Sequence, residues 1–267
     1  MPNDALKQIE RGQFFLISGP CVIESEKLCF TVAEKISRLC AKHKLLYIFK
    51  SSYSKANRLS VKSYSGPGID QGLKILAKVK KEFGVPVLTD VHETVEVDRA
   101  AAVVDILQIP AFLCRQTTLI QKAASTGKWI NIKKGQFLAP EDMKLLAEKA
   151  GTKKVILTER GTTFGYRNLV VDFRSLLILK QTGFPVVFDA THSLQLPGAG
   201  GWTSGGQPEY SIPMAVAAAT FGINGIFVET HPHPKEALSD SGAMLSLSKM
   251  PELIESVLRV REKIHGL

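Results

Sequence analysis

Eight short apolar runs rich in β-branched residues recur along the chain, and nearly every one ends in a residue capable of chemistry. They are FFLISGPC to Cys21, LLYIFK to Lys50, VPVLTD to Asp90, DILQ to Gln108, KWINIK to Lys133, KVILTER to Arg160, PVVFDATH to His192 and GIFVE to Glu229. Runs of this length, separated by helix-like segments, are the pattern of repeated βα units and a parallel sheet. Eight of them predict a closed (β/α)8 TIM barrel of the α/β class, with reactive groups gathered at the C-terminal ends of the strands. A chain of 267 residues suits one such barrel, which takes about 250. Residues 1–267 are therefore expected to form one catalytic domain.

The intervening segments carry helix signals. Ser25 opens SEKLCFTVAEKISRLCAKHK, and 69–84 is amphipathic and stops at Gly84 before Val85-Pro86. Helices are also predicted over 93–104, 115–127, from Pro140, and over 168–182, 208–222 and 251–264. Three loops are longer: 51–68, 193–207 and 231–247. The glycine-rich second one, SLQLPGAGGWTSGGQ, matches no phosphate-cradle fingerprint and reads better as a lid.

A hydrophobic fraction of 45% is ample for a large core, and no apolar stretch approaches the ~20 residues of a membrane span. The polar MPNDALKQIERGQ is neither a secretory signal nor a transit peptide, so a cytoplasmic location is expected. Cys21, Cys29, Cys40 and Cys114 form no C-x-x-C pair and are expected to be thiols, with Cys29 and Cys40 packed as small core residues. A net charge of +9 implies anionic partners. Few aromatics interleave with the basic residues, and no nucleic-acid-binding motif is present, so small anions are expected rather than nucleic acid.

Lys50, Lys55 and Arg58 lie in or just beyond the second run. With Arg115, Lys133, Lys134 and Arg160 they end or follow different strands, and barrel closure would bring them to one mouth. Converging cations repel unless an anion sits between them, and guanidinium and ammonium groups suit phosphate and carboxylate oxygens. Taken singly, each cation reads as a surface ion pair; the set at successive strand ends favours an anion site. Cys21, His192 and Glu229 end runs that adjoin on closure, with Asp240 following, and these donors suit a divalent transition metal. Without a linear metal motif, Cys21 alone reads as a packed residue and His192 as a hydrogen-bonded one. His92, His231 and His233 are rival ligands. No Gly-x-Ser-x-Gly elbow or Ser-His-Asp order supports acyl transfer.

The stretches GPCVIES, FKSSYSKANR, LTDVHE, ILQIPAFLCRQT, INIKKGQFLAP, LTERGTTFGYRNLVVDFRSL, FDATHSLQLPG and VETHPHPKEALSD closely resemble the 3-deoxy-D-manno-octulosonate-8-phosphate synthase family. The resemblance runs from about Phe14 to the C-terminal helix. It implies a (β/α)8 homotetramer condensing phosphoenolpyruvate with arabinose 5-phosphate and water, on the route to lipopolysaccharide. It further implies that Lys50, Lys55, Gln108, Lys133 and Arg160 hold phosphoenolpyruvate with the backbone at Ala111 and Phe112. Asn57 and Arg58 would grip the sugar phosphate, Arg115 would reach in from a neighbouring subunit, and Asp90 would orient substrate or water. Lys50, Asp90, Lys133 and His192 are the expected catalytic groups.

Members of that family with cysteine in the first motif require a metal, whereas those with asparagine do not. The resemblance thus implies a divalent ion on Cys21, His192, Glu229 and Asp240. One departure is Arg58-Leu59-Ser60, where the family carries Arg-Ser-Ser, so a hydroxyl that would help hold the sugar phosphate is missing. The related heptulosonate-7-phosphate synthases, which use erythrose 4-phosphate, carry Lys-Pro-Arg-Thr in this loop; Lys55-Ala56-Asn57-Arg58 favours the pentose-phosphate enzyme. A non-catalytic anion- or nucleic-acid-binding barrel is the alternative of a different class.

Overall fold

The computed structural model describes residues 2–58, 60, 62–200 and 203–265. Eight parallel strands pair in chain order: β1 (Phe15–Gly19), β2 (Leu46–Lys50), β3 (Val87–Asp90), β4 (Ile106–Ile109), β5 (Trp129–Lys133), β6 (Val155–Glu159), β7 (Val186–Asp189) and β8 (Gly225–His231). β8 returns to β1 in the register Phe15↔Gly225 to Gly19↔Glu229, which closes the (β/α)8 barrel. The strands carry the β-branched and aromatic residues that fit a surface packed on both faces.

Alternation along the strands divides the core in two. Phe15, Ile17, Leu46, Ile48, Leu88, Ile106, Trp129, Ile156, Val187 and Phe227 pack together inside the ring. Their neighbours, such as Leu16, Tyr47, Phe49, Leu107, Ile130, Leu157 and Phe188, pack outward against the helices. Leu6 and Ile9, on a helix at Pro2–Glu10 that no sequence signal anticipated, join the inner group. This helix therefore closes the barrel at its N-terminal end.

The helix from Ser25 forms as expected: Ser25 Oγ accepts from the Leu28 amide and caps Glu26–Lys42, whose buried face includes Cys29 and Cys40. The helix Ile69–Phe83 ends at Gly84 in the left-handed region (φ 62°), the conformation a glycine stop supplies. Three expected helices start late or are divided. Over 168–182, β-branched Val170 and Val171 do not start a helix. Leu169–Val170 instead pair with Thr162–Thr163, and Asp172, just before the N-cap Phe173, accepts from the Arg174 amide where the helix Arg174–Lys180 begins. Pro140–Asp142 is a 3-10 turn leading into Met143–Glu148, and Pro208–Tyr210 a second leading into Ser211–Ala219. In the glycine-rich loop, Gln195–Gly200 pair antiparallel with Thr203–Gly206. Its intervening Gly201 and Trp202 lie outside the described residues, as does Leu59.

Gly19, at the end of β1, lies against β2. A Cβ there would stand 2.0 Å from the Lys50 carbonyl oxygen, a backbone atom that cannot swing aside. Gly19→Ala is expected to destabilise the chain by about 3 kcal/mol, the upper end of overpacking costs. The check is its urea-unfolding midpoint; a midpoint equal to the parent's would show that β1 and β2 can separate freely.

Candidate active site

The inner-face parity of the strands decides which side chains reach the open mouth. Stepping by two from the packed interior leads from Ile48 to Lys50, Leu88 to Asp90, Ile106 to Gln108 and Val187 to Asp189. The same step leads from Phe227 to Glu229, from Trp129 through Asn131 to Lys133, and from Ile156 through Thr158 to Arg160. Of these, Lys50, Asp90, Gln108, Lys133, Arg160 and Glu229 line one cavity of about 830 Å³, with Lys55, Asn57 and Arg58 entering from the loop after β2 and Ala111 and Phe112 from the loop after β4. Cys21, Arg160 and His192 lie just past their strands rather than at their last residues.

Two expected cations are elsewhere. Lys134 has the opposite parity to Lys133. It is fully buried behind the mouth, donating to Thr162 Oγ1 at 3.0 Å and lying 3.5 Å from Glu159. Arg115 is exposed and does not line the cavity of its own chain. Gln136, Arg167 and Gln195 line the cavity without having been foreseen. Arg160 donates to Gln195 Oε1 at 2.9 Å, so the hairpin after β7 braces a mouth cation.

Inside the mouth, positive and negative groups alternate. Lys50 Nζ donates to Glu229 Oε1 at 2.5 Å and to the Cys21 carbonyl at 2.9 Å. Lys133 Nζ donates to Asp189 Oδ2 at 2.6 Å and lies 3.8 Å from the centre of the Phe227 ring. Lys55 stands 3.6 Å from Asp90. Burial opposes ionisation of these acids, but the cations outweigh it: Lys55 and Lys50 hold Asp90 well below the usual carboxylate range, and Lys50, with Lys55 and Lys133, does the same for Glu229. Burial in turn pushes Lys133 down from its ordinary value, partly offset by Asp189 and Glu229.

Asp90 is held from two sides, by Ser52 Oγ donating at 2.5 Å and by the Gln108 amide. Gln108 Oε1 accepts from Asn131 at 2.8 Å, and Asn131 Oδ1 accepts from Thr158 at 2.6 Å. This buried chain fixes which end of the Gln108 amide faces Asp90.

Beside the cations, Cys21 Sγ donates to Asp240 Oδ2 at 3.2 Å. Cys21, Glu229 and Asp240 each offer a ligand atom within 4.8 Å of the others. His192 Nε2 points to the same place, 3.6 Å from Glu229 Oε2 and 3.9 Å from Asp240 Oδ2. Glu229 Oε2 is buried with no hydrogen-bond partner, an uncompensated group of the kind a cation satisfies. Burial, then Asp240 and Glu229, push the Cys21 thiol far up, with Lys55 and Lys50 opposing them. A soft thiolate, an imidazole and two carboxylates fit a transition-metal ion in donor type and number.

Two of the rival histidines are engaged elsewhere, and the third, His233, is exposed. His231 Nδ1 accepts from the His233 amide at 2.9 Å while its Nε2 lies 3.8 Å from Glu24, and His92 Nδ1 lies 3.7 Å from Glu96. Arg58 reaches Ser239 and, at 3.4 Å, Asp240, so the loop after β2 touches the thiol–carboxylate group directly.

A family model described as the DAHP synthetase I family matches residues 6–265. A 2-dehydro-3-deoxyphosphooctonate aldolase of Acidithiobacillus ferrooxidans is 55% identical over 244 residues, which cover 90% of this chain and 87% of the relative. Proteins of the same name from Legionella pneumophila and an Azoarcus species are 54% and 53% identical, covering 91% and 94% of this chain and 90% and 91% of their own lengths.

Proposed function

The chain belongs to the DAHP synthetase I family, and from that premise and the mouth geometry we infer its chemistry. It condenses phosphoenolpyruvate with arabinose 5-phosphate and water, giving 3-deoxy-D-manno-octulosonate 8-phosphate and inorganic phosphate for lipopolysaccharide synthesis. The observation that carries this assignment is the convergence of Lys50, Lys133 and Arg160, from three separate strand ends, on one cavity that Lys55 and Arg58 also enter. That cluster suits two phosphorylated substrates.

In this assignment Lys50, Lys55, Gln108, Lys133 and Arg160 bind the carboxylate and phosphate of phosphoenolpyruvate, with the Ala111–Phe112 backbone beside them. Asn57 and Arg58 hold the sugar phosphate. Fixing both partners turns carbon–carbon bond formation into an effectively unimolecular step, worth about 7–11 kcal/mol of barrier. C3 of phosphoenolpyruvate attacks the aldehyde carbon. Water then adds at C2, and the hemiketal phosphate collapses to release phosphate. Lys133 and Arg160 stabilise the negative charge without rearranging, since Asp189 and Gln195 already hold them. Asp90 orients the sugar or the water.

Cys21, His192, Glu229 and Asp240 would hold a divalent transition metal ion, supported by the orphaned Glu229 Oε2. When bound, such an ion supplies Lewis acidity and a charge that orients the aldehyde or a water.

Self-association into a homotetramer completes the proposal. Arg115 stands exposed on the loop after β4, and Phe112, Phe137, Phe164 and Tyr166 are exposed on loops after β4, β5 and β6. A neighbouring copy would cover these rings and receive Arg115. Four unpaired thiols suit a reducing cytoplasm, and no helix among the described residues is long and apolar enough to cross a membrane.

The deciding assay is phosphate release from phosphoenolpyruvate, with arabinose 5-phosphate and erythrose 4-phosphate supplied separately, before and after chelation. Release is expected with the pentose phosphate alone, lost on chelation and restored by divalent metal. Release with the tetrose phosphate only would move the chain to heptulosonate synthesis. Full activity in verified metal-free protein would remove the ion from the mechanism.

A further inference from the structure

Asp189 ends β7 at the same parity as the mouth residues, is fully buried, and has so far figured only as the partner of Lys133. Both its oxygens are committed. Oδ1 accepts from the amides of Thr191 at 3.0 Å and His192 at 2.8 Å, which ties the turn after β7 to the strand. Oδ2 faces Lys133 Nζ at 2.6 Å and His192 Nδ1 at 2.8 Å. One carboxylate thus joins a cation of the anion site to the histidine beside Cys21, Glu229 and Asp240.

The chemistry of that contact fixes the histidine. An ionised carboxylate only accepts, so an imidazole nitrogen 2.8 Å from it must carry its proton. Lys133 also approaches Nδ1, at 3.3 Å, and could donate to it if that nitrogen were bare. The bare nitrogen would then turn its lone pair on the Asp189 oxygen at the shorter distance, which is repulsive. Lys133 instead sends its proton to Asp189. With Nδ1 protonated, the neutral ring presents the lone pair of Nε2 toward Glu229 and Asp240, the state a metal ligand needs.

We propose that Asp189 is a positioning residue that sets the Nδ1–H tautomer of His192 and, through the same oxygen, fixes the ammonium of Lys133. The consequence for catalysis rests on the function inferred above; the tautomer does not.

Asp189→Asn keeps the shape but replaces one oxygen by a donor. With the amide nitrogen at the second oxygen's place, it donates to Nδ1 and moves the ring proton to Nε2; it also faces the Lys133 ammonium with a like-signed donor. Nitrogen-15 NMR of histidine-labelled protein, after chelation and at a pH where the ring is neutral, is expected to show Nδ1–H in the parent and Nε2–H in Asp189→Asn. Metal affinity by chelator competition should fall by about 10–100-fold. The kcat/KM for phosphoenolpyruvate should fall by on the order of 10²-fold.

Lys133→Met provides a second readout that does not depend on how Asp189→Asn folds, because the Asp189–His192 pair survives in it. His192 should remain Nδ1–H there. A tautomer that flips in Lys133→Met, or that stays Nδ1–H in Asp189→Asn, overturns the proposal. A flip in Asp189→Asn with unchanged metal affinity supports the role of Asp189 and counts instead against His192 as a ligand.

Discussion

Lys50→Met is expected to abolish phosphate release and to lower the stability of the chelated chain by about 3–5 kcal/mol, the usual cost of breaking one side of a buried ion pair. Lys50 and Glu229 are almost wholly withdrawn from water, 1% and 0% exposed, and their charged atoms are 2.5 Å apart. Methionine approximates the aliphatic stem, so packing changes little. Glu229 loses its nearest cation and is left with an uncompensated charge or takes up a proton. Adding Glu229→Gln should return much of the lost stability, because the stranded charge is gone, while turnover stays absent. Urea unfolding of the single and double variants measures both effects. A single variant as stable as the parent would mean that Lys55 and Lys133 already neutralise Glu229.

Cys21→Ala is expected to separate activity from stability in the opposite way. The side chain is buried, but deleting one sulfur leaves a small hole, costing about 1 kcal/mol. Turnover should fall to background and stay there in excess divalent metal, because one of the four proposed donors is gone and Ser239 Oγ, 2.9 Å from the sulfur, is a poor replacement. Metal content after dialysis and phosphate release are the two readouts. Chelator-sensitive activity retained by Cys21→Ala would remove the thiol from the ligand set. Cys21→Asn then asks what the ion does. Chelator-resistant turnover assigns it to organising Asp240 and Glu229, whereas loss of turnover assigns it a direct part in the reaction.

Much of this site was legible because barrel strands obey a period of two. Lys50, Asp90, Gln108, Lys133 and Glu229 are each an even step from an interior apolar residue, so the runs that predicted the strands also placed these side chains in the mouth. The same rule, applied strictly, would have excluded Lys134 and admitted Asp189, Asn131 and Thr158. Reading strand ends as simple termini missed that distinction. Arg167, Gln136 and Gln195 were not legible, since they enter from loops whose course depends on hairpins that no local period announces. The break before Arg174 is local chemistry, with the Asp172 carboxylate accepting from the Arg174 amide after two valines, and was available from the sequence. The N-terminal helix was not: Leu6 and Ile9 are two apolar positions in a polar segment, and only the open barrel end gives them a place to go.

That helix also governs traffic. With Leu6 and Ile9 stoppering the floor and bulky rings filling the shaft above it, nothing can pass through the axis of the ring. Both reactants must enter, and sugar acid and orthophosphate depart, by the same rim.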